Sequence, residues 1–132
     1  MITDFSDKEK DLIARSWVRF QSDPETHYIL DNNLPEPDYK QSLSIHGDVW
    51  PYEESPFDVL WDLKYSTPDL AYDIVLKIAE LTDDEQVLVL LAAGPLEDLI
   101  NHHENADHYL AKYMKLVAKS SKHQYLLSMV WF

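Results

Sequence analysis

One short run limits most strongly how this chain can fold: Leu91-Ala92-Ala93-Gly94-Pro95-Leu96-Glu97-Asp98-Leu99-Ile100. An apolar helical segment reaches a glycine, which accepts positive φ without steric penalty and so commonly ends a helix. The proline after it has no N–H to give and suits the first position of a new helix. Glu97 and Asp98 then fall in a first turn, where free backbone N–H groups and the positive end of the helix dipole favour carboxylates. The expectation is a tight corner between two buried helices. Gly94 ends the first, Pro95 opens the second, Glu97 folds back on the amide near Gly94, and Asp98 follows in the same turn.

The rest of the chain is written in helical periods. Glycine occurs only at positions 47 and 94, and no Asn-Gly or Asp-Gly hairpin signal appears. Ser6 with Glu9 makes a capping box, Phe5 can staple the first turns, and Leu12, Ile13, Trp17 and Phe20 form one stripe. Pro24 closes that element. Ser55-Pro56 reads as a cap and a first helical position, followed by Phe57, Leu60, Trp61 and Lys64-Tyr65. Thr67-Pro68 repeats the signal ahead of Leu70, Ala71, Ile74, Val75, Ile78 and Leu81. Thr82 with Glu85 is a further capping box before Val87, Leu88, Leu90 and Leu91, which are apolar nearly all round. Asn105 can cap a helix bearing Tyr109, Leu110, Tyr113, Met114 and Val117. Ser120 or Ser121 opens the last, with Tyr125, Leu126, Met129, Val130 and Phe132. Seven helices result, six of them in residues 55–132 and joined by short turns that favour antiparallel neighbours. The fold expected is all-α: a compact bundle or short irregular superhelical array, as a single domain over 1–132. Residues 55–132 are its regular core. Residues 1–54 supply the N-terminal helix and a long irregular connection at 22–54, with at most a short helical turn at Tyr28-Ile29-Leu30.

Charge and composition exclude several chemistries. The chain has no cysteine, so disulfides, thiolate metal sites and cysteine nucleophiles are absent. It carries 24 acidic and 11 basic residues, for a net −13. The asymmetry is internal: residues 109–132 contain Lys112, Lys115, Lys119 and Lys122 and no acid, so the first 108 residues carry −17. Such a field repels nucleic acid and anionic membranes and attracts basic proteins. The acidic N-terminus lacks the apolar run of a signal peptide, and no apolar stretch approaches spanning length, so a cytoplasmic location is expected.

The pattern of Trp61, Thr67-Pro68, the run Ala92 to Ile100 and the terminal Val130-Trp131 resembles a bacterial domain family of unknown function. Its members carry an AGPLEDLL turn near the middle and a tryptophan near the end. The resemblance covers roughly residues 50–131. Ile100 stands where leucine is usual, and Asn101-His102-His103-Glu104 stands where members commonly have His-Gly. The resemblance implies a fold and brings no established activity. In size and charge such proteins are also similar to the immunity proteins and antitoxins of bacterial competition systems.

The candidate chemistry is sparse. Glu97 and Asp98 could form an acid/base or metal-ligand pair, but adjacent helical residues point about 100° apart and do not converge on one proton. Asp98 and His102, spaced i, i+4, could hold a divalent metal with His108 as third ligand. No metalloenzyme motif supports this, and a histidine near a helix C-terminus is favourable simply as a cation. Ser42, Ser44 and His46 form no nucleophile motif, and the glycines needed to cradle phosphate are missing. The four C-terminal lysines read as a solvated helix face, and Met129 to Phe132 as a segment packed into the bundle. The connection at 22–54 mixes aromatics with acids: Asp31, Glu36, Asp38, Tyr39, Asp48, Trp50, Tyr52, Glu53 and Glu54. Aromatics bury large areas at low entropic cost, and acids speed association with basic surfaces. The expected function is a non-enzymatic protein-binding module of immunity or antitoxin type, with no cofactor and a basic toxin as partner. The alternative is a metal-dependent enzyme or metal-binding regulator using Asp98, His102 and His108.

Overall fold

The computed structural model describes residues 7–22 and 54–130. Among them are six α-helices and no strand: α1 (Asp7–Ser22), α2 (Pro56–Ser66), α3 (Pro68–Leu81), α4 (Glu85–Leu91), α5 (Ala106–Val117) and α6 (Ser121–Ser128). The Ser6 cap and the expected connection at 22–54 lie outside the described residues, apart from Ser22 and Glu54.

The start signals are met unevenly. Ser55 caps α2 as its serine-proline pair suggests, its hydroxyl accepting from the Asp58 N–H at 3.1 Å. Ser120 caps α6 in the same way, accepting from the His123 N–H at 3.3 Å. Thr67 precedes α3 without a side-chain cap. The expected Thr82–Glu85 box is displaced by two residues. Asp84 is the cap, accepting from Gln86 N–H at 2.9 Å and Val87 N–H at 3.4 Å, while Thr82 Oγ1 accepts from the Asp84 N–H. A carboxylate so placed satisfies two free amides at once and outcompetes the threonine. Asn105 takes the cap position of α5 but not with its side chain; its own N–H donates to His103 Nδ1 at 3.0 Å.

The main departure is at Gly94. No helix ends there. α4 runs on through two π-helical turns, Ala92–Leu96 and Asp98–His102, with Glu97 between them. The chain turns away only at His103, whose φ of −67° and ψ of 150° are extended. Gly94 does not adopt the left-handed conformation of a terminating glycine. The physical reason lies in Pro95, which removes a donor and presses its ring on the carbonyl four residues back. Widening the helix relieves that pressure, and the i→i−5 bonds that define a π turn appear around it: Glu97 N–H to Ala92 O and His103 N–H to Asp98 O. A proline also disfavours helical geometry in the residue before it, partly through that residue's Cβ; Gly94 has none. The glycine therefore lets a helix pass where the sequence suggests a stop. Two expected helices fuse into one, which accounts for six α-helices rather than seven.

The core runs through all six. Ile13, Ala14 and Trp17 of α1 pack into one apolar cluster with the inner faces of α2 to α6. The most extensive helix pairing is α1 on α3, and α1 also touches α2 and α4. The second π turn packs on α5, and the first touches α2 and α3. Leu91, Ala92, Leu96, Leu99 and Ile100 are all buried, so the distorted segment is central to the fold. Among the described residues, three buried polar atoms, Ser16 Oγ, Trp17 Nε1 and Tyr72 Oη, have no hydrogen-bond partner.

Candidate functional site

α2 divides its side chains between two faces. Pro56, Val59, Leu60, Leu63 and Lys64 are buried, while Phe57, Trp61 and Tyr65 are exposed. These three rings stand at i, i+4 and i+8 and so share one side of the helix. They stack on one another: Phe57 and Trp61 lie 6.1 Å apart at 21°, and Trp61 and Tyr65 lie 5.9 Å apart, edge to face. Beside them Asp58 and Asp62 are exposed. Neither acid has a cationic partner among the described residues.

Lys64 is the unusual member of the buried face, with 3% exposure. An isolated ammonium there would be costly, and two arrangements compensate it. Its Nζ donates to Asp98 Oδ2 at 2.5 Å, from the second π turn, and lies 3.5 Å from the Trp61 ring centroid and 5.0 Å from that of Tyr65. Asp98 is thus neither a capping group nor one half of an acid/base pair. It is the counter-ion that fastens the π-helical segment to α2. Glu97 does not fold back to start a helix either; its carboxylate lies 3.4 Å from His102 Nε2.

Where the two segments meet, a notch opens. Its walls are Phe57, Leu60, Trp61 and Lys64 on one side and Gly94, Pro95 and Asp98 on the other, and it encloses about 270 Å³ including its solvent-open mouth. A Cβ built on Gly94 would meet no atom within 4 Å beyond its chain neighbours. Gly94 contributes only backbone to this lining.

The expected metal set does not assemble. Asp98 is held by Lys64, His102 lies against Glu97, and His108 packs edge-on against Tyr109 at 5.0 Å. Among the described residues no three His, Asp or Glu side chains could hold a metal ion. Of the partner-binding residues expected from sequence, Asp31, Glu36, Asp38, Tyr39, Asp48, Trp50, Tyr52 and Glu53 lie outside the described residues; Glu54 is exposed just ahead of α2. Sequence reasoning passed over the Lys64–Asp98 pair, although a signal existed. Lys64 falls in register with Val59, Leu60 and Leu63, and a lysine on a buried stripe requires a counter-charge from a facing element.

A second aromatic cluster sits elsewhere, between α3, α5 and α6. Tyr109 Oη donates to Asp69 Oδ1 at 2.8 Å, and Tyr113 Oη lies 2.8 Å from His123 Nδ1. Burial, then the hydrogen bond and charge of Asp69, push the Tyr109 phenol up to about 12. Burial and the neighbouring Tyr72 hold Tyr113 well above the usual phenol range. Burial, reinforced by Lys122 and partly opposed by Glu80, lowers His123. Lys112 Nζ lies 4.8 Å from the Tyr72 ring. The Tyr109 and Tyr113 hydroxyls are matched inside the fold, while the buried Tyr72 hydroxyl has no partner among the described residues.

These features define an acidic protein, helical with no strand among its described residues, whose long central helix is widened by a proline and fastened by a buried ion pair. Residues 48–132 match a family of unknown function, DUF6869, and the chain belongs to it. No curated protein and no solved structure matches the chain. Among the described residues no helix is long and apolar enough to cross a membrane.

Proposed function

We propose that this chain is a non-enzymatic protein-binding module that docks a basic partner through the outer face of α2. One observation carries the reading: Phe57, Trp61 and Tyr65 form an exposed, mutually stacked ladder interleaved with Asp58 and Asp62. Aromatic side chains supply much of the binding energy where proteins meet, because they bury large areas with few rotamers to freeze. Acids beside them orient and speed the approach of a basic surface. The net charge of −13 extends that field over the molecule. The acidic and aromatic composition also continues upstream in sequence through Trp50, Tyr52, Glu53 and Glu54.

The particular role proposed is an immunity or antitoxin-type protein of the bacterial cytoplasm that neutralises a basic toxin acting there. The test is to express the product of the adjacent gene alone and together with this chain. Growth is expected to be restored by the wild type and lost again with the combined Trp61→Ala and Asp62→Lys variant. A harmless neighbour, or toxicity unchanged by the wild type, removes the toxin-neutralising role. Rescue undiminished by the variant removes α2 as the docking face.

A further inference from the structure

We infer that the notch over Gly94 receives a single aliphatic side chain from a basic segment of the partner. This rests on the docking face proposed above and specifies what the partner presents to it. Size comes first. The notch reaches about 270 Å³ only with its solvent-open mouth counted, too little to enclose a small molecule on all sides. It suits one anchoring side chain of a larger partner.

Lining chemistry then selects the kind of side chain. The walls are the rings of Phe57 and Trp61 with Leu60 and Pro95, and the floor is the bare backbone of Gly94. The two charged groups that reach the notch, Lys64 and Asp98, already satisfy each other at 2.5 Å. A second cation entering would meet the Lys64 ammonium, and a second anion would meet Asp98. The notch itself therefore favours an uncharged, apolar occupant. The outer surface of α2 has the opposite character: Asp58 and Asp62 are exposed there, beyond the ring ladder, and lack cationic partners among the described residues. The complementary segment carries an aliphatic residue between lysines or arginines.

Gly94 fits this account as more than a tolerance for Pro95. A Cβ at this position would crowd no other part of the fold, so the cost of a side chain there comes from the backbone ahead of Pro95 and is checked separately from binding.

The test uses the full chain and three amidated pentapeptides: Arg-Lys-Leu-Lys-Arg, Arg-Lys-Gly-Lys-Arg and Glu-Asp-Leu-Asp-Glu. The readouts are the NMR cross-peaks of the Gly94 amide and the Trp61 indole N–H. The chain has two glycines, so a Gly47→Ala variant assigns Gly94 directly. Both peaks are expected to shift saturably with the first peptide, and the other two to bind about tenfold or more weakly, as expected for losing one buried leucine or the complementary charge. In Gly94→Leu, with the dispersion of the spectrum showing that it is folded, the Trp61 shift is expected to fall by a similar factor. If that variant does not fold, Trp61→Ala replaces it, with Gly94 as the reporter and the same loss expected.

Equal responses to all three peptides overturn the inference, as does unaltered binding by a folded Gly94→Leu. Shifts that follow protein concentration without peptide place a second copy of the chain in the notch and overturn it too. Failure here, with toxin rescue still lost in the α2 surface variant, retires the notch and leaves the docking face standing.

Discussion

Two aromatic clusters in this molecule are built from similar residues and do opposite things. Between α3, α5 and α6, Tyr72, Tyr109 and Tyr113 are buried, and two of their hydroxyls meet Asp69 and His123 at 2.8 Å. On α2, Phe57, Trp61 and Tyr65 stack along the helix beside Lys64 and stay 40%, 46% and 65% exposed. The buried rings, two of them with their polar ends matched inside the protein, hold the fold together. Rings stacked in the open are available to something else. Folding gains little from leaving so much apolar area in water, and contiguous exposure of this kind marks interaction surfaces.

The comparison breaks or holds most visibly under equal truncation. Tyr113→Ala is expected to cost about 4 kcal/mol, the cavity cost of deleting a buried ring. Trp61→Ala should cost about 1 kcal/mol or less, chiefly its stacking with the Lys64 ammonium. Urea unfolding of the two variants decides it. Similar losses would mean that the α2 ladder is structural and would weaken its assignment to a partner.

The next effect concerns the pair that joins the two sides of the notch. Asp98→Ala leaves the Lys64 ammonium buried without its counter-ion. The cost expected is about 2–3 kcal/mol, toward the low end for broken buried pairs because Asp98 is one-quarter exposed. Replacing both partners should be far milder. Lys64→Met with Asp98→Ala is expected to recover most of the loss, since an apolar side chain of similar length fills the same space without a charge to satisfy. A double variant as unstable as Asp98→Ala alone would show that the carboxylate acts on something besides Lys64.

These expectations show where the sequence was legible and where it was not. Apolar spacing placed α1, α2, α3, α5 and α6 close to their observed positions, because burying one stripe leaves a 3.6-residue rhythm that needs no tertiary knowledge. Ser55-Pro56 is readable as a cap, and Ser120 or Ser121 as the start of the last helix, because their chemistry is local. Gly94-Pro95 was misleading for the opposite reason. Locally, glycine then proline says stop; the buried neighbours Leu91, Ala92, Leu96 and Leu99 gain more by continuing, and the helix widens instead of ending. Asp98 was invisible as a counter-ion because its partner is 34 residues away. Phe57, Leu60, Trp61, Lys64 and Tyr65 read from sequence only as successive members of one helix. Only the position of α3 and the π turns shows which of them turn outward.

The tyrosine cluster makes a smaller, pH-dependent prediction with a definite sign. His123 titrates below its ordinary 6.5 in the folded chain, so the fold holds it neutral. A depressed histidine contributes stability that is present above pH 6.5 and is lost as pH falls through its folded value. Lowering pH from 7 to 5 should therefore destabilise the wild type more than His123→Gln, which has no ring to protonate. Tyr109, raised to about 12, gives the mirror image: its contribution is full below pH 10 and is lost as pH rises through about 12. Unfolding curves for the wild type and His123→Gln at pH 5 and 7 test the first sign. Equal acid sensitivity would mean that His123 is not held neutral by this cluster, and would remove one of the satisfied contacts that set it apart from α2.

The smallest effect is the most informative about the notch. In Gly94→Ala two terms oppose each other. Alanine is favoured over glycine inside a helix by roughly 1 kcal/mol, and its Cβ would meet no atom within 4 Å beyond its chain neighbours. Against this, a residue with a Cβ is restrained from helical geometry when proline follows. The net change expected is within about 0.5 kcal/mol of zero. Pro95→Ala separates the terms: once the proline is gone, the restraint goes with it, and adding Gly94→Ala should then stabilise by the full amount of roughly 1 kcal/mol. A coupling of that size would establish that Gly94 serves the backbone at Pro95 and that the space above it carries no folding cost of its own. Absence of coupling, with Gly94→Ala destabilising in both backgrounds, would mean that the notch closes in solution around Gly94. The open floor that distinguishes the α2 side of the molecule from the filled tyrosine cluster would then not exist.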